Sequence, residues 1–353
     1  MLTQWEQLRG HDEQRQLFRR SIAQGRLSHA YVLAGRQGIG KRQFARLLAK
    51  SLFCRQWPAE DLVVCGDCRA CRAFTAEVWP DFHEVGLLEG KSEILIRQMV
   101  GEDETRGREG LCYDLSMTPQ ASERRIAVIN DAHLMNQESS NSLLKTLEEP
   151  PGCSLILLIT DNTDGLLPTI RSRAQMVRFF PLASADIRSI LLSTGMATDE
   201  DEAAAAADVS EGSLETAQQL LDSRLRALRN TVAEALEDSG SMNSLQVSRS
   251  VIESVEEMSE NTVQQRMHAQ WLMKFVADAI WARLRSLVHG DLSSRSSQSH
   301  GVRKGVDVLS PMLDRTVRAS GMIEGNASVS LVIEALFDDL ARTLRTGIRK
   351  SSG

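Results

Sequence analysis

Short apolar runs alternate with helix-spaced apolar positions through the first half of the chain. Tyr31–Ala34, Asp81–Val85, Arg125–Asp131, Leu155–Ile159 and Val177–Phe180 read as strands, the central ones continuous enough to be buried on both faces. Between them, residues 12–24 predict a helix with Asp12 as N-cap and Gly25 as its stop. Phe44, Leu47, Leu48 and Leu52 put one face on a helix from Lys41 to about Phe53. Residues 92–103 read as the start of another helix, and 137–149 as one stopped by Pro150-Pro151. Strands alternating with helices predict a parallel α/β sheet over residues 1–181.

After Pro181 the strand pattern stops. Ser184 is the expected cap of a helix carrying Ile187, Ile190 and Leu191 and ended by Gly195, and Ala203–Ala207 favours a second. Gly212-Ser213-Leu214-Glu215 opens a third, so residues 182–221 predict a small helical lid. From 222 to 353 the pattern is all helical, with helices near 222–238, 244–289 (a candidate for a break), 304–320 and 327–346. Trp271, Phe275, Leu284 and Leu287 form one apolar stripe, and Leu331, Leu336, Phe337, Leu340 and Leu344 another. Ser293–His300 reads as a flexible loop and Lys350–Gly353 as a frayed tail.

The first strand runs into Gly35-Arg-Gln-Gly38-Ile-Gly40-Lys41, and a helix follows. Strand, Gly-x-x-x-x-Gly-Lys, helix is a phosphate-cradling P-loop. Gly35, Gly38 and Gly40 let backbone N–H groups approach phosphate, and Lys41 supplies a point charge. Arg42 departs from the pattern, because a Ser or Thr hydroxyl is needed there to ligate Mg²⁺. Asp131 ends a buried strand, where a carboxylate would face the loop. Ala132 follows where hydrolysing enzymes place a Glu to activate water, and His133 is one residue out of register for that task. Thr160, at the end of the Leu155–Ile159 run, is a candidate polar sensor of a γ-phosphate.

Cys54, Cys65, Cys68 and Cys71 stand as Cys-x10-Cys-x2-Cys-x2-Cys, immediately after the P-loop helix. Two-residue gaps turn neighbouring thiolates onto one ion, and four thiolates close a tetrahedral site, so a structural Zn²⁺ is expected. A net charge of −6 does not favour a bulk nucleic-acid binder. The polar stretch Met1–Asp12 has no signal-peptide core and no apolar run reaches the ~20 residues of a membrane helix, so a cytoplasmic protein is expected.

Taken together, these segments resemble the clamp-loader AAA+ ATPases of bacterial DNA polymerase III. The resemblance rests on the P-loop, the cysteine module directly after its helix, the Arg125–Asp131 strand, Ser142-Leu-Leu-Lys-Thr-Leu-Glu-Glu-Pro-Pro151 and Leu167–Gln175. Trp5, Gly10, His29 and Ala30 also fit, and the match covers about the first 220 residues. It implies an AAA+ domain, a lid, and a C-terminal collar that assembles a hetero-pentamer with gamma/tau and delta subunits. The sliding clamp and primer-template DNA are the further partners implied.

The departures set this chain apart from the motor subunits. A motor subunit would carry Ser or Thr at 42, Glu at 132 and a sensor Arg where Glu215 stands. Loss of a catalytic base alone costs ~10²–10⁴-fold in rate, so hydrolysis by this chain is expected to be absent, with ATP binding open and Mg²⁺ not expected. Ser172-Arg173-Ala174 keeps the arginine that the family presents in trans to a neighbour's ATP, although Ala replaces the usual Cys. Two other readings stay open: an active motor with His133 as base, and a zinc-dependent DNA-binding module at 54–71.

Overall fold

The computed structural model describes residues 5, 8–88, 91–237, 242–258, 262–290, 299–325 and 327–349. The chain divides into two compact units, Met1–Leu221 and Asp222–Gly353. In the first, α1 (Asp12–Ala23), β1 (Ala30–Ala34), α2 (Lys41–Phe53), α3 (Arg69–Thr75), β2 (Phe82–Val85), α4 (Ile96–Val100), α5 (Leu111–Ser116) and β3 (Arg125–Ile129) come first. Then follow α6 (Gln137–Glu148), β4 (Ser154–Thr160), α7 (Pro168–Arg171), β5 (Gln175–Arg178), α8 (Ser184–Ser193), α9 (Glu200–Val209) and α10 (Leu214–Leu220).

The sheet is five-stranded, in the order β2-β3-β4-β1-β5, and every pairing is parallel. Alternation along each strand sends side chains to two separate cores. Tyr31, Leu33, Ile126, Val128, Leu155 and Leu157 pack on one face with Phe18, Phe44 and Leu48 of α1 and α2. Val32, Ala127, Ile129, Ile156 and Leu158 pack on the other with Met99, Leu111, Leu143, Leu147 and Ile170. β3 and β4 are buried along their whole length, which is why they read as continuous apolar runs.

Several local expectations shift. Asp12 and Ser184 are the first residues of their helices rather than caps: His11 and Ala183 hold those positions, neither with a side-chain cap bond. The Ser184 hydroxyl instead donates to Asp208 Oδ1 at 2.6 Å. The last strand lies two residues earlier than Val177–Phe180, with Gln175 opposite Tyr31. It is an edge strand with one buried residue, Val177, so its apolar signal is weak, and Phe180 is 57% exposed.

The second unit contains α11 (Ser223–Glu237), α12 (Ser244–Glu257), α13 (Thr262–Gly290), α14 (Ser299–Glu324) and α15 (Val329–Arg349). The expected 244–289 helix is two helices. Phe275 and Leu284 are buried, as are Leu336, Phe337, Leu340 and Leu344, but Leu331 is 66% exposed and belongs to no core. The side chain of Leu287, most of the Ser293–His300 loop and the Lys350–Gly353 tail lie outside the described residues. Among the described residues no helix is long and apolar enough to cross a membrane.

Candidate functional site

Gly38 and Gly40 take positive φ values of 73° and 95°, and Gly40 is the residue before the first turn of α2. Positive φ at two glycines before a helix start is a conformation that a phosphate-binding loop requires. Gly35 is required for a different reason: a Cβ there would stand 2.5 Å from the Phe179 carbonyl oxygen. The loop borders a cavity of about 810 Å³ whose wall includes Gly38, Gly40, Lys41, Asp131, Asp161 and Glu215. Asp131 sits in the left-handed region at φ 49°, which a short carboxylate side chain tolerates.

Most of the charged groups here have partners within the chain. The Lys41 ammonium donates to the carbonyls of Gly35 and Arg36 in its own loop. Burial lowers the Lys41 pKa, against the opposing pull of Asp161, Asp131 and Glu215. Arg42, which also lines the cavity, pairs with Glu84 of β2 at 2.6 Å; Arg46 reaches the same carboxylate, and Asn130 donates to it at 2.7 Å. Desolvation opposes the Glu84 charge, but Asn130, Arg42 and Arg46 outweigh it and hold the pKa below the usual carboxylate value.

The helical segment after Pro181 closes on the loop. Leu214 and Glu215 donate their backbone N–H groups to the Gly38 carbonyl at 2.9 and 3.3 Å. Arg36 pairs with Glu211 at 2.7 Å. A Cβ on Gly38 would lie 2.3 Å from Ser213 Oγ and 2.6 Å from Glu215 Cβ, so glycine is demanded there by the start of α10 as well as by φ.

Thr160 is not brought to the cavity wall. It is fully buried, its hydroxyl donates to the Asn162 carbonyl at 2.8 Å, and Ile159 and Asp161 line the cavity instead. His133 is engaged through both ring nitrogens, with Thr160 Oγ1 at 3.2 Å from Nδ1 and Asp161 at 3.2 Å from Nε2. Arg173 lies just past α7, 35% exposed, with Nη2 at 2.7 Å from Glu148 Oε1. Nothing in the sequence marks the Arg42–Glu84 or Arg173–Glu148 pairings, because each joins residues far apart along the chain.

The sulfurs of Cys54, Cys65, Cys68 and Cys71 lie within 4.8 Å of one another, so these four could hold one metal ion. Thiolates each about 2.3 Å from a tetrahedral ion stand about 3.8 Å apart, and Cys65 and Cys71 are separated by 3.8 Å. Gly66, at φ 83°, makes the tight turn between Cys65 and Cys68. Burial opposes ionisation at both Cys68 and Cys71; N–H donors from Arg55 and Cys71 and the neighbouring thiols bring the Cys68 pKa down to about 6, while burial and the Cys68 and Cys54 thiols push that of Cys71 up. Leu62, Ala70 and Phe74 anchor this module in the same core as α2.

Residues 10–183 match the family described as DNA polymerase III, delta subunit. Over those residues the chain is similar to this family. DNA polymerase III subunit delta' of Bacillus subtilis is 37% identical over 49% of this chain and 48% of that protein. The Pseudomonas aeruginosa subunit delta' is 34% identical over 59% of this chain and 60% of that protein. DNA polymerase III subunit gamma of Buchnera aphidicola is 30% identical over 59% of this chain and 54% of that protein. The chain thus spans about half to three-fifths of the length of these relatives.

Proposed function

We propose that the chain is a delta-prime-like subunit of a DNA polymerase III clamp loader. In this reading it hydrolyses no ATP itself and lends Arg173 to ATP bound by a neighbouring gamma/tau-type subunit. The observation that carries it is the contrast at residue 42. Where a hydroxyl would ligate Mg²⁺ stands an arginine, paired with Glu84; Arg173, paired with Glu148, keeps part of its surface in solvent. Ala132 offers no base, and the His133 ring is committed to Thr160 and Asp161. An arginine supplied in trans is worth ~10³–10⁵-fold in other NTPases.

Gly35, Gly38, Gly40, Lys41 and Asp131 frame a site that could hold a phosphate chain passively, and Mg²⁺ has no ligand at 42. The cysteine set fits Zn²⁺, closed and structural. Its anchoring through Leu62, Ala70 and Phe74 favours a folding staple over a free-standing DNA-reading finger. Delta and gamma/tau subunits, the sliding clamp and primer-template DNA are the proposed partners, in the cytoplasm, and residues 222–353 are the proposed collar.

The test is ATP turnover by the isolated chain and by the chain reassembled with gamma/tau and delta subunits, clamp and primed DNA. An inert lone chain, together with an assembly depressed by Arg173→Ala, is expected. Turnover by the lone chain that vanishes in Lys41→Ala would instead favour the motor reading, to which the likeness to a gamma subunit also points.

A further inference from the structure

Glu148 breaks a local rule. It is the last residue of α6, where unpaired carbonyls make the helix end negative and a carboxylate is disfavoured. Such violations need compensation elsewhere, and here Arg173 supplies it through the 2.7 Å bond from Nη2 to Oε1. Nη1 of the same guanidinium donates to the Thr169 carbonyl at 3.0 Å and to Ser172 Oγ at 3.3 Å. Acceptors from α6 and from the segment around α7 therefore converge on one side chain. Their backbones are fixed relative to each other, since Leu147 and Ile170 share one buried core and Arg173 N donates to the Ile170 carbonyl at 3.1 Å.

We infer that Glu148 is a positioning residue for Arg173, holding the guanidinium oriented before a neighbour's phosphate arrives. This rests on the reading of Arg173 as a finger acting in trans. A guanidinium has five N–H donors. Among the described residues three are engaged, all through Nη atoms, and two have no partner and could meet phosphate oxygens. The long arginine side chain would otherwise lose its rotamer freedom on engagement, at a cost in rate. Glu148 is not a brake. A half-exposed ion pair shifts an equilibrium by less than about fivefold, too little to hold arginine back from a polyanion.

The test uses the chain reassembled with gamma/tau and delta subunits on primed DNA, with kcat and KM for ATP measured separately. Glu148→Ala is expected to lower kcat about 3-fold, within what a half-exposed ion pair can supply, with little change in KM, because the neighbour's own loop binds the nucleotide. Glu148→Gln, which keeps an acceptor but not the charge, falls between. In an Arg173→Ala background Glu148→Ala has no further effect; a merely structural role would lower kcat in both backgrounds and depress Tm. A kcat for Glu148→Ala equal to or above wild type, with Arg173→Ala still damaging, overturns the positioning role and leaves the finger. If Arg173→Ala itself changes nothing, the finger reading falls and the role of Glu148 falls with it.

Discussion

The P-loop and the segment around Arg173 lie in the same compact unit and hold their charges with different sets of partners. At the P-loop, Lys41 donates to its own loop carbonyls, Arg42 and Arg46 share Glu84, and Gly38 accepts two N–H groups from the lid. Lys41 and Arg46 are engaged inside the chain, while Arg42 bonds Glu84 through Nε and stays 64% exposed. Arg173 is held by three acceptors, and among the described residues two of its donors have no partner. The difference separates a phosphate-binding frame from the chemistry such a frame usually serves. On the proposed reading the Gly35–Gly40 backbone keeps the frame, while the side chains that would act on a nucleotide serve other partners.

The largest effect expected from this contrast is on turnover of the assembly. Arg173→Ala should lower it by ~10³-fold, the lower end for a trans arginine, whereas Lys41→Ala should change it less than about threefold. Steady-state hydrolysis by the two reassembled variants decides the matter, and equal losses would erase the asymmetry.

If the P-loop side is a scaffold, its integrity should show in stability. Cys71 is buried among the four sulfurs, and its module packs against the α2 side of the sheet. Cys71→Ser, or removal of metal by a chelator, should cost at least about 3 kcal/mol, a Tm fall of roughly 6–12 °C for a unit of this size. Calorimetry with metal content measured in parallel checks this. A metal-free protein with unchanged Tm would make the cysteines incidental.

The frame was legible in the sequence because it is local. The Gly35–Lys41 spacing, the buried runs of β3 and β4 and the Cys65–Cys71 gaps each depend on residues close in the chain. Pairings across the fold were not. Glu84 looks like an ordinary polar position on a strand until Arg42 and Arg46 arrive from α2. Asp81, fully buried, looked like the start of a strand but accepts N–H bonds from Gln120, Ala121 and Ser122 and ties down that loop. Thr160 had the right place along β4, but Asn162 and His133 take up its hydroxyl. Leu331 fitted a helical stripe that the packing does not use.

Glu215 offers a finer cut. Its carboxylate stands at the mouth of the P-loop, exposed to solvent and opposing any bound phosphate. Solvent screening keeps the penalty modest. Glu215→Arg should raise affinity of the isolated chain for nucleotide about 10-fold, roughly 1.4 kcal/mol, without creating hydrolysis, since Ala132 still supplies no base. Titration calorimetry reads the affinity. Hydrolysis appearing in this single variant would mean the site was closer to competence than the contrast allows.

A comparable effect is expected at Glu84, the carboxylate that pairs with Arg42. Its folded pKa is depressed, because Asn130, Arg42 and Arg46 together outweigh desolvation. Its contribution is therefore fully present above the unfolded value near 4.5 and is lost as pH falls through the lower folded value. Glu84→Gln should cost about 1–2 kcal/mol at neutral pH, the scale of charge-assisted hydrogen bonds. The wild-type advantage should shrink as pH drops below about 4.5. Denaturant midpoints of the two proteins from neutral to acid pH would show the curves converging. Parallel curves would mean that the arginines, and not the charge on Glu84, carry the stability of that corner. Arg42 would then be free to leave it, and the closed P-loop would be a weaker barrier than its pairing with Glu84 implies.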